Sequence, residues 1–534
     1  MASSVDAMDE AAELSAGTRR GGWITFPFII GTMACLTLAS GGWVANLIVY
    51  LIQEFNFKSI SAAKVYNFVN GSITMLPIVG AVIADSFTGC FSVICFSSLV
   101  SLLGMLVLVL TAAIDQLRPK TCKNGSNPCD YPSQLQLAVL YLGLALASLG
   151  NAGTRFTIAP MGAHQFKSPG QQGIFFNWYI FTMYTATVIS STAIVYVEDN
   201  VSWVWGFGLC AAANLLGLVV FLIGKRFYRP FKARGSPFRG LARVLVGAIS
   251  KRRMPLSDNS KDYYCCHEDP KTPTNFFRFL NRAALRSETK DSMQVQDKSC
   301  TVKEVENLKA LIKIFPLWST GLFLCTPLAI QLSLSVIQAL SMDRRLGGSH
   351  FRIPAGSMPV FILISTSLSI LIIDRAKITK TPLTLLQRIG IGHALTVVSM
   401  AISALVESKR LKAGGPISAM WLVPQLAVAG LGEAFHFPGQ VSLYYREFPE
   451  ELKSTSTAAV AMFIGIAFYI SNAIIDLLRK LTGWLPDDIN EGRLDNVYWV
   501  CCAVGGFNFG CYIACALLYK YQNVQESEDG CGES

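Results

Sequence analysis

Two ionisable side chains lie deep inside long apolar stretches of this 534-residue chain, and they carry opposite charges. Arg155 follows the run from Gly150 to Thr154, and Glu433 sits in the run from Gly430 to Ala434. A charge at the centre of a membrane span costs a few kcal/mol on insertion scales, so such groups tend to be paired and functional. One comes from each half of the chain. A salt bridge between them would neutralise both and could open and close during a working cycle; the plain alternative is a static structural pair. His436 lies three residues beyond Glu433 on the same helix face, where it either modulates that carboxylate, donates to an anion, or packs between helices. Cys265, Cys266 and His267 lack the paired spacing of a zinc site. No helical His-Glu-x-x-His, Gly-x-Ser-x-Gly elbow or phosphate-cradling glycine loop is present, so the sequence offers no constellation for catalysis, metal or cofactor.

The elements that must position these residues are membrane spans. The chain is 52% hydrophobic and 15% charged, against about 25% charged in an ordinary soluble protein. Apolar runs long enough to cross about 30 Å of hydrocarbon recur along its length. They predict spans near 26–52, 62–85, 91–113, 136–156, 172–197 and 203–224, then 310–338, 357–374, 384–406, 417–444, 456–478 and 496–519. The expected fold is an all-α polytopic membrane protein of two six-helix bundles, 26–224 and 307–520, flanked by tails 1–25 and 521–534 and joined by a linker, 225–306. From Lys225 to Lys309 there are 19 Lys and Arg against 9 Asp and Glu, which accounts for the whole net charge of +10. That concentration fits a cytoplasmic loop under the positive-inside rule better than a nucleic-acid face. Lys409, Arg410 and Lys412 would then lie outside, so the orientation rests on the one large loop. Within it, Leu241, Val244, Leu245 and Ile249 fall at helical spacing opposite Arg239, Arg243 and Lys251, which predicts an amphipathic helix on the membrane surface or a solvated one.

Most of the fifteen cysteines lie inside apolar runs and behave as small hydrophobes. Cys122 and Cys129 instead flank a polar loop holding the sequon at Asn124, a candidate disulfide and glycosylation site if that loop is extracytoplasmic. Such a loop favours the plasma membrane over the vacuolar membrane.

Two six-helix halves joined by a cytoplasmic linker is the layout of major facilitator transporters, whose halves rock about a central site. The residues resemble the plant nitrate and peptide transporter family, the proton-dependent oligopeptide branch of the major facilitators, nearly end to end. The matching segments run from Asn46 to Leu51, Gly80 to Gly89, Phe175 to Trp178, Met342 to Arg344, Phe351 to Ser357, Leu386 to Gly392, and Trp421 to Gln425, with Gly432 to Phe435 beyond. The resemblance implies that Arg155, where lysine is usual, and Glu433 form the family's inter-half pair. It also implies a substrate or gating role for Asn46, Tyr50, Tyr184, Gln331 and His436, and a conformational motif at Gly80, Asp85 and Gly89. Arginine offers a planar fork to oxyanions and keeps its proton.

The chain departs from the family in span one. The proton-coupling motif, two glutamates and a base, should occupy Met33 to Thr37, and those positions hold no carboxylate and no base. Cys90 stands where an arginine usually follows Gly89, Tyr184 where asparagine is frequent, and Leu328 where some nitrate carriers place a histidine. A monovalent anion entering an inside-negative cell climbs about 2.3 kcal/mol per 100 mV, so uptake requires coupled protons whereas efflux runs downhill. A cationic pocket without the span-one proton site therefore suits release of anions. The segments from Gly41 to Trp43 and from Ile189 to Ile194 also resemble the family's nitrate excretion subgroup. The expected function is nitrate efflux, with some chloride permeability. Its rivals are a proton symporter for a larger organic anion or peptide, coupled through Glu433 or His436, a transport-dead anion sensor, and a channel.

Overall fold

The computed structural model describes residues 20–83, 89–120, 131–155, 157–229, 237–257, 259, 262–264, 273–285, 300–346, 351–376, 383–448 and 456–519. Asp85, Cys122, Asn124, Cys129, the Cys265 to His267 cluster and the acidic tail lie outside the described residues.

Every span expected from hydropathy is a helix, and the fold is all-α. Among the described residues, ten helices are long and apolar enough to cross a membrane. The other two expected spans are spans two and ten. Span two is broken at Leu76 into Ser59–Met75 and Pro77–Ile83. Span ten, Val423–Glu447, has its hydropathy lowered by Glu433, His436 and Gln440 and holds Pro438 in its interior. Span one is also split, with Phe26–Ala45 and Leu47–Gln53 meeting at Asn46 (φ −104°, ψ 7°). Span five runs through Pro169–Ile189, a π-turn at Ser190–Ile194, and Val195–Asn200. Span three is Gly89–Ala113, span four Gln134–Arg155 and span six Trp203–Ile223. In the second half, spans seven, eight and nine are Val302–Leu340, Val360–Ala376 and Leu385–Lys412. Spans eleven and twelve are Ser456–Leu481 and Leu494–Leu518.

Local chemistry sets several of these ends. Thr301 with Glu304, and Thr384 with Gln387, form reciprocal capping boxes that start spans seven and nine. Span seven therefore begins eight residues before its apolar stretch, reaching out of the bilayer toward the linker. The linker helix, Pro237–Ser250, uses that extension as a dock. Val244 and Ala248 are buried against Ala283, Leu308 and Val305, while Arg243 pairs with Glu304 at 3.0 Å. The predicted amphipathic helix is thus present, but its apolar face is divided. Val244 packs on protein, whereas Leu245 (46%) and Ile249 (66%) stay exposed.

Small residues bring spans three and four into backbone contact. A side chain on Gly150 would strike the Ser101 backbone, and one on Gly104 would strike Ala147, so these helices pack at the distance only glycine permits. This close pair holds the end of span four, and with it Arg155, in a fixed place.

The halves meet on the side opposite the linker. Among the described residues, three ion pairs cross there: Lys58–Asp487 and Lys64–Asp476, both at 2.6 Å, and Arg344–Asp199 at 3.3 Å. Lys58 and Arg479 hold the Asp487 carboxyl below the usual carboxylate range, so its charge persists in mildly acidic solution. Deeper in, Asn67 donates to Asn472 at 3.0 Å and Ser72 meets the Tyr469 hydroxyl at 2.9 Å. Gly71 and Gly465 lie face to face, each with a carbonyl where the other's side chain would be. Beyond that level no hydrogen bond or ion pair joins the two bundles among the described residues. The far side is sealed and the cleft opens toward the linker.

Candidate functional site

Arg155 ends span four, and its side chain is exposed rather than packed between helices. Among the described residues it makes no hydrogen bond and no ion pair. The ring of Tyr179, from span five, lies within electrostatic reach of its guanidinium. Five residues on, Tyr184 lies within reach of Glu433. Glu433 itself is half-buried, with the Thr366 hydroxyl of span eight and the Cys325 thiol of span seven beside it. The cation thus lies beside the Tyr179 phenol, and the carboxylate beside the Tyr184 phenol and the Thr366 hydroxyl. No ion pair joins Arg155 to Glu433, and the inter-half bridge expected from the sequence is open in this far-side-closed state. An unpaired, exposed guanidinium presents a planar donor fork, which matches a planar oxyanion.

Other expected site residues sit in packing interfaces. His436 is 1% exposed, set edge-on to His393 at 5.2 Å between spans nine and ten. Gln331 is 1% exposed, and its amide donates to Ser399 and Ser403 at 2.8 Å each, tying span seven to span nine. Tyr50 is fully buried, shares a hydrogen bond with Thr111 at 2.9 Å, and stacks edge-on against Phe207 at 4.8 Å. These three side chains brace the bundles and are shut off from solvent. Asn46 is also fully buried, at the break in span one, and meets Gly356 of the opposite half. Of the conformational motif, Gly80 faces Gly153 so closely that a side chain on it would press on the Gly153 backbone, and Gly89 (φ +75°) turns the chain into span three.

Met33 and Leu36 are buried, and the Thr37 hydroxyl bonds only the Met33 sulfur at 3.5 Å. Leu328 packs among Ile464 and Phe437. Among the described residues, no group of three or more His, Cys, Asp and Glu converges to hold a metal. A separate cavity of about 820 Å³ lies at the linker-side rim among Arg20, Lys225, Arg226 and Arg229, and neither Arg155 nor Glu433 lines it.

Sequence reasoning missed Tyr179 and Thr366. Neither carries a formal charge, and uncharged polar residues in apolar helices give no signal that separates cavity from interface.

Comparison with known proteins places this architecture. The family model described as the POT family matches residues 91–490. Protein NRT1/PTR FAMILY 2.3 of Arabidopsis thaliana is 49% identical over 97% of this chain and 97% of its own length. Protein NRT1/PTR FAMILY 2.7 of the same plant is 50% identical over 99% of this chain and 98% of its own. Among solved structures, the in meso crystal structure of the POT family transporter PepTSo superposes with a TM-score of 0.68 at 17% identity. It covers 93% of this chain and 98% of its own.

Proposed function

The chain belongs to the POT family, a family of transporters and not of enzymes, and from that premise we propose that it releases nitrate, with some chloride, by alternating access. The observation that carries this reading is Arg155, a permanent, exposed cation with no partner among the described residues. A monovalent oxyanion satisfies its fork, and Tyr179 supplies a further donor. Met33 to Thr37 carry no carboxylate, so the cation works without the family's span-one proton site. We take the linker side as cytoplasmic on its charge, and the membrane as the plasma membrane. Nitrate then enters the open cleft from inside, and the inside-negative potential drives it out at about 2.3 kcal/mol per 100 mV.

Vesicles containing the purified protein separate this reading from the symport of a larger solute. Preloaded with nitrate and given a potential negative on the loaded side, they should empty with no pH gradient, chloride leaving more slowly. Preloaded with a labelled dipeptide, they should retain it. Dipeptide movement that requires a proton gradient, with nitrate immobile, would replace the anion reading by the peptide one.

A further inference from the structure

Beyond the cleft, one buried group has no role in the anion path. Glu198, near the far-side end of span five, is 1% exposed, and neither carboxylate oxygen has a hydrogen-bond partner. Its position follows from two local features. The π-turn at Ser190–Ile194 adds a residue to the repeat, rotating everything beyond it by about 100°. That turn seats against Gly41, while Ile194 and Cys210 close over Gly42. Gly206 then leaves room for the Glu198 side chain to lie flat on span six, where any larger residue would collide with it.

What faces Glu198 matters for its charge. From span one comes the neutral Asn46 amide, which does not close a hydrogen bond to it in this state. From span six comes the Cys210 thiol. Its chain neighbour Asp199 is already engaged by Arg344 across the halves at 3.3 Å. The turn Ala355–Ser357 brings no titratable side chain. Among the described residues, then, no cation faces this carboxylate. An ionised carboxylate shut off from solvent, with neither donor nor counter-charge, is strongly disfavoured, which favours the neutral acid here.

We propose that Glu198 is a proton-binding site whose occupancy latches the far side shut. The lid over it belongs to the other half. Gly356 presses on the Asn46 side chain and backbone, and Phe351 stacks on Tyr196 at 5.6 Å. When the halves part on the far side, this lid lifts, water reaches Asn46 and Glu198, and the proton leaves as the carboxylate ionises. Closure requires the proton back. It enters and departs on the same side, because Cys210 and Ile194 pack beneath the site, so it gates the cycle without being carried across. The inference rests on alternating access alone and is independent of the substrate.

The test uses full-length protein in lipid nanodiscs with no substrate. Fluorophores on genetically encoded residues at the exposed positions Tyr131 and Glu491, one on each half, report far-side separation. The closed-to-open ratio of the wild type should rise as pH falls, by up to about tenfold per unit for one linked proton. Glu198→Gln, which mimics the neutral acid, should stay closed with no pH response, and Glu198→Asp should restore a response. A flat wild-type profile, or a Glu198→Gln profile that still follows pH, overturns the proposal. Should Glu198→Gln fail to fold, the infrared C=O stretch of a buried carboxylic acid provides a second reading. It must be present in the closed wild type and shift in Glu198→Asp, and its absence contradicts the assignment.

Discussion

Nitrate flux should fall on the order of 100-fold in Arg155→Ala, because about 3 kcal/mol of charge-assisted hydrogen bonding to the anion is lost. Arg155→Lys keeps the charge but replaces the fork by a single point of donation, and flux should fall by about tenfold. Neither change should alter thermal stability, since the Arg155 guanidinium braces nothing among the described residues. Initial rates of nitrate release from proteoliposomes, normalised to inserted protein, check both. Equal flux in wild type and Arg155→Ala would place the anion path elsewhere.

The largest effect on stability is expected at Glu407. This carboxylate is fully buried and accepts from Arg410 through both oxygens, at 2.8 Å from Nε to Oε2 and 2.7 Å from Nη2 to Oε1. Gln338 donates to it at 2.7 Å, and Tyr498 donates to Gln338 at 2.9 Å, while Arg410 also donates to Asn490 at 2.5 Å. Spans seven, nine and twelve and the loop before span twelve are held by this one network. Glu407→Ala strands the Arg410 charge inside the bundle and should destabilise the protein by about 3–5 kcal/mol. Replacing both partners by Leu and Met should recover most of that loss, because the penalty comes from the unpaired charge. Thermal unfolding in detergent, followed by the reactivity of buried Cys325 and Cys501, gives the readout. A Glu407→Ala midpoint equal to wild type would show that the network contributes nothing to stability.

Both buried carboxylates illustrate where hydropathy reading stops. Span five was expected to end at 197 and span nine at 406, so Glu198 and Glu407 each fell one residue outside an apolar run. In the folded protein the helices continue to Asn200 and Lys412, and packing partners far away in sequence bury what hydropathy assigns to water. The same cause explains the discordant cations beyond span nine. Arg410 is consumed by Glu407, and Lys409 sits over the Trp421 ring at 3.3 Å, so neither acts as a free loop charge. The span order and the linker helix were legible because each depends on residue type within one segment. The burial of Gln331, Tyr50 and His436 was not, because it depends on which helix lies alongside. The break at Asn46 and the π-turn at Ser190–Ile194 carry no proline and leave no periodicity to read. Their partners, Gly356 and the Gly41–Gly42 pair, lie elsewhere in the chain.

The central claim is that anions move through the Arg155 cleft without a coupled proton. The reversal potential of the nitrate current, across a membrane holding a fixed nitrate gradient, measures this directly when the pH difference is set to zero and then to one or two units. The account predicts a potential fixed by the nitrate gradient and unmoved by pH, even where far-side acid changes the rate through Glu198. A reversal potential that shifts with the pH difference would contradict it, and would mean that a proton crosses with each anion.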